Sequence, residues 1–310
     1  MEPAPALGAL ETVAPVTGHR GYWRQAWQRL RSDRIAMAGL ALCVLLVAAA
    51  VLAPAIAPHA PDRQYTSGLT RDGSPLPPSR RFLLGTDALG RDELSRLLFG
   101  ARVSLTVGLG SNALAALIGI VVGGAAALGG RVLETLFMRV IDVILSLPVL
   151  LVSITLLAVT SPNVEVIVLI IGVNFGAYLS RVVFSQAVSI REREFVLAAR
   201  AYGVRRPAIL VRHVLPHVLP SVVVFSTLGV ATAIQLEAAL SYVGIGIQPP
   251  TASWGNMIND GQNYISVAWW LVIFPGLAIM IAMVGFSLLG DGLRDALDPT
   301  LDRDMFRFRR

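Results

Sequence analysis

"IAMAGLALCVLLVAAAVLAPAIA", residues 35–57, runs for 23 residues without a charge. Wound as an α-helix at 1.5 Å per residue it is about 34 Å long, enough to cross a hydrocarbon core of about 30 Å. Arg20, Arg24, Arg29, Arg31 and Arg34 precede it. The apolar region of a cleaved signal peptide covers only about 7–15 residues, so this stretch reads as a retained signal anchor despite the small-residue "AIA" that closes it.

The rest of the chain extends that reading. Of its 310 residues 55% are hydrophobic and 15% charged, and the mean hydropathy is +0.65. Soluble domains carry about a quarter charged residues, so the composition is that of a membrane protein. Further apolar runs occupy residues 103–130, 140–160, 164–178, 219–244 and 267–289. The expected fold is all-α with six transmembrane helices. Gly119 and Gly123 form a GxxxG pair in the second span, spaced to let another backbone approach closely. The expected divisions are an N-terminal segment 1–34, a first span 35–57, a loop 58–102 with an interfacial helix from residue 92, a five-helix core 103–290 and a tail 291–310.

Arginine placement predicts the orientation. Seven arginines lie between spans four and five, five precede span one and five follow span six, whereas residues 245–266 contain none. Both termini and the segment 191–216 are thus expected on the cytoplasmic side. The 58–102 loop carries seven arginines balanced by five acids, and is expected on the opposite side.

Several chemistries are excluded. All 26 basic residues are arginine, so the chain lacks the lysine that a P-loop or a Schiff base requires. Cys43 is the single cysteine, which rules out a disulfide within the chain. His59 and His217 have no companions at metal-ligand spacing. No catalytic residue, metal site or cofactor of its own is expected. Membrane lipid is an expected partner, and nucleic acid is not.

"REFVLAARAYGVRRPAILVRHVLP", residues 193–216, is the polar exception among these runs. Residues 194–202 favour helix, with Phe195, Ala198, Ala199 and Tyr202 at helical spacing on one face. Gly203 is placed as a left-handed cap, Pro207 suits the first turn of a second helix, and Pro216 is expected to stop that helix before span five. The product is a helix–Gly–helix elbow. It serves either as an interfacial elbow with arginines on lipid phosphates or as a docking helix for a cytoplasmic partner.

The same segment resembles the EAA loop of ABC-importer permeases, a pattern EAA–x3–G–x9–I–x–LP. Ala198, Ala199, Gly203, Leu215 and Pro216 fall in register, with Leu197 at the Glu position and His213 at the Ile position. The "RHVLP" form, Arg212 to Pro216, is similar to the variant of the dipeptide/oligopeptide branch. "LGTDALGRDELSRLLFGARVSL" (84–105), "EAALSYVGIGIQPPTASWGNMI" (237–258) and "LLGDGLRDALDP" (288–299) resemble further signatures of the C-type subunit in that peptide/nickel permease family. The resemblance implies the type I importer permease fold and a non-catalytic subunit of an ATP-driven importer. It also implies a homologous second permease, two ABC ATPase subunits that hold ATP and Mg, and an extracytoplasmic substrate-binding protein. Peptides are the implied substrate, with nickel or another small solute as the alternative. Under this resemblance Glu194, Phe195, Leu197, Ala198, Ala199, Arg200, Tyr202, Gly203, Pro207, Arg212, His213 and Pro216 form the ATPase-coupling loop, with Ala198 and Ala199 facing the groove. A self-contained secondary transporter, the rival class, needs several ionisable groups inside the membrane; the spans hold only Glu237 and charges at their edges.

Glu237, Ser241, Trp254 and Asn256 are the candidates for a translocation path or outer gate. Glu237 reads first as a structural hydrogen-bonding group near the end of span five and second as a path residue. Asp87, Arg91 and Asp92 read as a charged knot that stabilises the 58–102 loop. Arg139 and Asp142 read as solvated charges at the cytoplasmic start of span three. Trp254, Trp269 and Trp270 read as anchors in an aromatic belt.

Overall fold

The computed structural model describes residues 19–298. Their helices are α1 His19–Ser32, α2 Arg34–Ile56, α3 Glu93–Gly129, α4 Arg131–Ser146, α5 Val149–Val159, α6 Val164–Arg191, α7 Glu194–Ala201, α8 Arg206–Tyr242, α9 Trp254–Gly261 and α10 Trp270–Leu297. No strand forms among the described residues. Five helices, α2, α3, α6, α8 and α10, are long and apolar enough to span a membrane, and the bent pair α4–α5 makes a sixth crossing when counted as one. The start of the "LLGDGLRDALDP" stretch continues α10 to Leu297, so 291–297 is helix rather than tail. Residues 299–310 of the expected tail lie outside the described residues.

Three sequence expectations change. The segment from residue 92 is not a separate interfacial helix: Asp92 caps α3, accepting a hydrogen bond from Ser95 N, and the helix starting at Glu93 continues into the span. Asp92 and Arg96 of that stretch are buried with partners inside the chain. The run 140–160 is not one straight helix. Pro148 forces Leu147 into extended backbone (φ −95°, ψ 135°), as a residue before proline prefers, and α4 and α5 meet at 87°. Pro216 does not stop the elbow's second helix. Residues Leu210–Val214 form a π turn in which Leu215 N–H bonds Leu210 O. The looser turn immediately precedes the missing N–H of Pro216, and α8 runs on to Tyr242. A π turn is a recognised accommodation inside long helices.

Small residues set the helix spacing. A β-carbon on Gly123 would lie 2.5 Å from Ser180 O, and one on Gly39 would lie 2.7 Å from Leu289 N. Thus the 119/123 glycine pair seats α6 on α3, and α2 lies against α10. The main core joins Leu105, Ile234, Trp254, Met257 and Phe286.

The bundle has two dissimilar ends. At one, the elbow packs on the end of α3 and of α6, and α1 lies against the end of α10. Tyr22 Oη donates to Leu297 O at 2.6 Å and Arg29 Nη1 to Asp298 O at 3.2 Å, so the first and last described helices meet there. The 58–92 and 243–269 segments cover the other. These are called the elbow end and the loop end below.

Candidate functional site

At the elbow, Gly203 adopts φ +77°. Its N–H bonds Arg200 O at 2.9 Å and that of Val204 bonds Ala199 O at 3.1 Å, the paired pattern of a Schellman cap. Pro207 sits in the first turn of α8, where its missing N–H costs nothing. Val196 and Ile209 are buried with Val214, Val218 and Ile190, so α7 is packed onto α6 and α8. Two arginines bind the chain itself rather than standing free for lipid phosphates. Arg191 Nη1 donates to Ala127 O at 2.7 Å and Arg206 Nη1 to Gly129 O at 2.9 Å, satisfying carbonyls at the end of α3.

The face of α7 differs from the one expected. Ala199 is buried beside Val196 and turns inward, so it is not on the open face with Ala198. The helix presents Glu194, Leu197, Ala198, Arg200, Ala201 and Tyr202 outward, with Leu197 46% and Tyr202 89% exposed. Phe195 leans the other way, stacking on His217 with centroids 5.5 Å apart and meeting His213 at 6.3 Å. His213 thus packs against the elbow. Arg212 is exposed and Pro216 half-buried. Leu197, in the register position of the motif Glu, is an exposed apolar side chain.

The loop end is held by buried charge. Arg91 Nε donates to Asp87 Oδ2 at 2.5 Å; Arg96 Nε lies 3.4 Å from the same oxygen, and both guanidinium groups approach Asp260, at 3.6 and 3.8 Å. Asp87, Arg91, Asp92 and Arg96 are all at most 5% exposed. Asp87 also accepts backbone N–H bonds from Leu89 and Arg91 at 2.9 Å each. Burial pushes the Asp260 carboxyl above its ordinary range, while Arg96 and Arg91 pull it back. The knot read from Asp87, Arg91 and Asp92 therefore extends to Arg96 on α3 and Asp260 on α9. It joins the 87–96 stretch to α9, two segments distant in sequence.

The four path candidates converge one layer below, inside the chain. Glu237, Ser241, Trp254 and Asn256 are each buried. Ser104 Oγ donates to Glu237 Oε2 at 3.0 Å and Ser241 Oγ to Glu237 Oε1 at 2.7 Å. Trp254 N donates to Ser104 Oγ at 3.4 Å and Trp254 Nε1 to Leu97 O at 3.1 Å. Asn256 closes a capping box with Ser253, its Oδ1 accepting from Ser253 N at 3.0 Å, and its Nδ2 donates to Thr251 O at 2.7 Å. The four side chains form a junction between α3, α8 and α9. Trp254 is core, not belt, because its indole fills the space over Gly100. Trp270 is buried too, donating to Thr86 O at 3.2 Å; Trp269 alone of the three is exposed.

Glu237→Ala is expected to lower the thermal stability of the purified chain by about 2–4 kcal/mol. It opens a cavity and leaves two buried serine hydroxyls without their acceptor. Glu237→Gln keeps an acceptor oxygen and is expected to lose less, as read by the unfolding midpoint in detergent.

The sequence reading missed a cavity of about 340 Å³ between α3, α4, α6 and α8. Its polar lining is Asn112, Asn174, Ser226 and Thr232, and Phe175, Tyr178 and Phe225 supply aromatic surface. The only signal was carboxamides and hydroxyls inside otherwise apolar runs. One helical turn from Leu145 and Tyr178, Asp142 pairs with Arg181 as well as Arg139. Asp142 thus forms an ion pair between α4 and α6 rather than being merely solvated, whereas Arg139, on the same helix as Asp142, is exposed as expected.

Residues 115–303 match the family model described as binding-protein-dependent transport system inner membrane component. Residues 21–78 match the N-terminal TM domain of oligopeptide transport permease C. Among curated relatives, the chain is 40% identical to the dipeptide transport system permease protein DppC of Bacillus subtilis, over 91% of this chain and 87% of that protein. It is 37% identical to the oligopeptide transport system permease protein OppC of the same species, over 90% of each chain. It is 34% identical to the glutathione transport system permease protein GsiD of Escherichia coli, over 96% of each.

Proposed function

The chain belongs to the family of binding-protein-dependent transport system inner membrane components, and from that premise we propose that it imports short peptides as one of two permeases in a complex driven by two ATPases. Membership makes it a multi-pass inner-membrane protein and a non-catalytic permease component of an ABC transport system. A partner permease, ATPase subunits and a binding protein go with that class in general; the pairing with one homologous permease and two ATPases is part of the proposal.

The observation that carries the reading is the elbow: a short capped helix, buried on one side and open on the other. In the proposed role its open face, Leu197, Ala198, Ala201 and Tyr202, enters a groove of an ATPase subunit, and Phe195, His213 and His217 tie its motion to α8. ATP-dependent closure of the ATPases then rocks two permease bundles about a shared path. An exposed leucine in place of a carboxylate calls for an apolar contact at that point in the groove. The arginine distribution supports an elbow end in the cytoplasm and a loop end facing the binding protein. A peptide substrate is supported by the names of the relatives, which transport dipeptides, oligopeptides and glutathione.

Affinity purification of the tagged chain from its native membrane is expected to retain a second permease and an ATPase, and proteoliposomes of that complex are expected to accumulate a labelled dipeptide only with ATP and binding protein. Uptake by the chain alone, driven by an ion gradient, would overturn the proposal; ATP-driven uptake of nickel but not peptide would overturn its substrate.

A further inference from the structure

We propose that the cavity between α3, α4, α6 and α8 is a subsite for the main-chain amides of a short peptide, an inference that rests on the peptide-permease role above. The argument starts from what lines it and what does not. No ionisable side chain except the Tyr178 phenol is in the lining, and the nearby Arg181 and Asp142 neutralise each other. A site for a divalent cation ordinarily includes a carboxylate or an imidazole among its ligands, and none of the lining residues is acidic or histidine. The site also offers no unpaired charge for a free ammonium or carboxylate group.

What it does offer is neutral hydrogen-bonding capacity left unused. Ser226 Oγ is buried without a partner. Asn112 Nδ2 is held by Gly108 O at 2.9 Å, and its Oδ1 lies directly over Gly229, where a β-carbon would come within 2.1 Å. Asn174 and Thr232 line the same space. A carboxamide presents one acceptor and two donors, and a hydroxyl presents both kinds. A secondary amide, with its N–H and C=O, is the complement to such groups, and Tyr178 and Phe225 supply surface for uncharged side chains. A buried polar group costs free energy until it is paired, so an amide that enters supplies the donor and acceptor that an apolar occupant cannot. Recognition through main-chain amides would pass peptides of differing side chains.

The test uses the assembled complex in nanodiscs, with Cys43→Ala to remove the native thiol and Leu228→Cys, or Leu145→Cys in a second reporter, as the target of a maleimide. Trialanine at millimolar concentration is expected to slow labelling. The analogue with both amides replaced by esters lacks the two N–H donors and is expected to need about tenfold more for the same protection; nickel ion is expected to give none. Asn174→Leu is expected to erase the preference for amide over ester, and Asn174→Gln to keep it. Equal protection by amide and ester, or no protection by trialanine in a complex that still couples ATP hydrolysis to uptake, would overturn the proposal. Protection that persists in a preparation without ATP-driven uptake would strike the transporter role and leave the subsite standing.

Discussion

Asp87→Ala is expected to destabilise the chain by about 3–5 kcal/mol, the cost typical of stripping one partner from a buried ion pair. The carboxylate is shared between Arg91 and Arg96, at 2.5 and 3.4 Å, and both arginines are buried. Without it the two guanidinium groups face one another across a poorly hydrated space, with Asp260 at 3.6 and 3.8 Å and, for Arg96, the exposed Asp62 at 3.8 Å as the remaining ion-pair partners. The two backbone N–H groups of Leu89 and Arg91 lose their acceptor as well. Asp87→Asn separates the two contributions. It can keep a side-chain oxygen for those N–H groups while removing the charge, so its midpoint is expected to fall between wild type and Asp87→Ala. Thermal unfolding of the purified protein, followed by fluorescence-detected size exclusion, reads all three. Equal midpoints for Asp87→Ala and wild type would show that the knot contributes nothing to stability. The double change Asp87→Ala with Arg96→Leu is expected to recover part of the loss, because it removes the uncompensated charge along with its partner.

The spans were legible because a run of about 20 apolar residues has few other fates, and the cap at Gly203 was legible because a short helix followed by glycine has a specific backbone solution. What was not legible depended on partners from elsewhere in the chain. Arg96 looks like the polar face of an amphipathic helix in sequence, and only the convergence of Asp87 and Asp260 on α3 shows why it can be buried. Trp254 stands in a loop segment next to a span, where an aromatic belt is the default, yet Gly100 leaves room for its ring in the core. Pro216 reads as a stop because proline breaks an α-helical ladder; no residue announces the π turn that lets α8 continue. Pro148 was visible, but the length of the 140–160 run outweighed it. The cavity was missed for a different reason. An ionisable residue in an apolar run stands out singly, whereas Asn112, Asn174, Ser226 and Thr232 are neutral and meet only when three helices bring them together.

Ala198→Arg is expected to abolish coupling while leaving the chain folded, and the structure makes its neighbour the control. Ala198 lies on the open face of α7, so an arginine there extends into the proposed ATPase groove without displacing anything in this chain. A residue central to such a contact typically costs about 2 kcal/mol or more when spoiled, roughly thirty-fold in affinity. The expected result is an unchanged level in the membrane and an unchanged unfolding midpoint, with the ATPase lost on purification and ATP-driven uptake lost with it. Ala199→Arg differs, because Ala199 is buried with Val196 against α6 and α8. There the added side chain must lift α7 off its seat, and the unfolding midpoint is expected to fall together with transport. Gly203→Val falls between them. Nothing lies within 4 Å of a β-carbon at that position, so no clash arises, but φ +77° costs a β-branched residue about 1–2 kcal/mol. That strain loosens the elbow without unfolding the bundle, so ATPase binding is expected to weaken partially, with a midpoint between those of Ala198→Arg and Ala199→Arg. Leu197→Glu, which restores the motif's residue type, is expected to reduce binding if the groove is apolar at that point. If Ala198→Arg and Gly203→Val both retain the ATPase and transport at wild-type rates, the elbow is an interfacial turn and the coupling surface lies elsewhere.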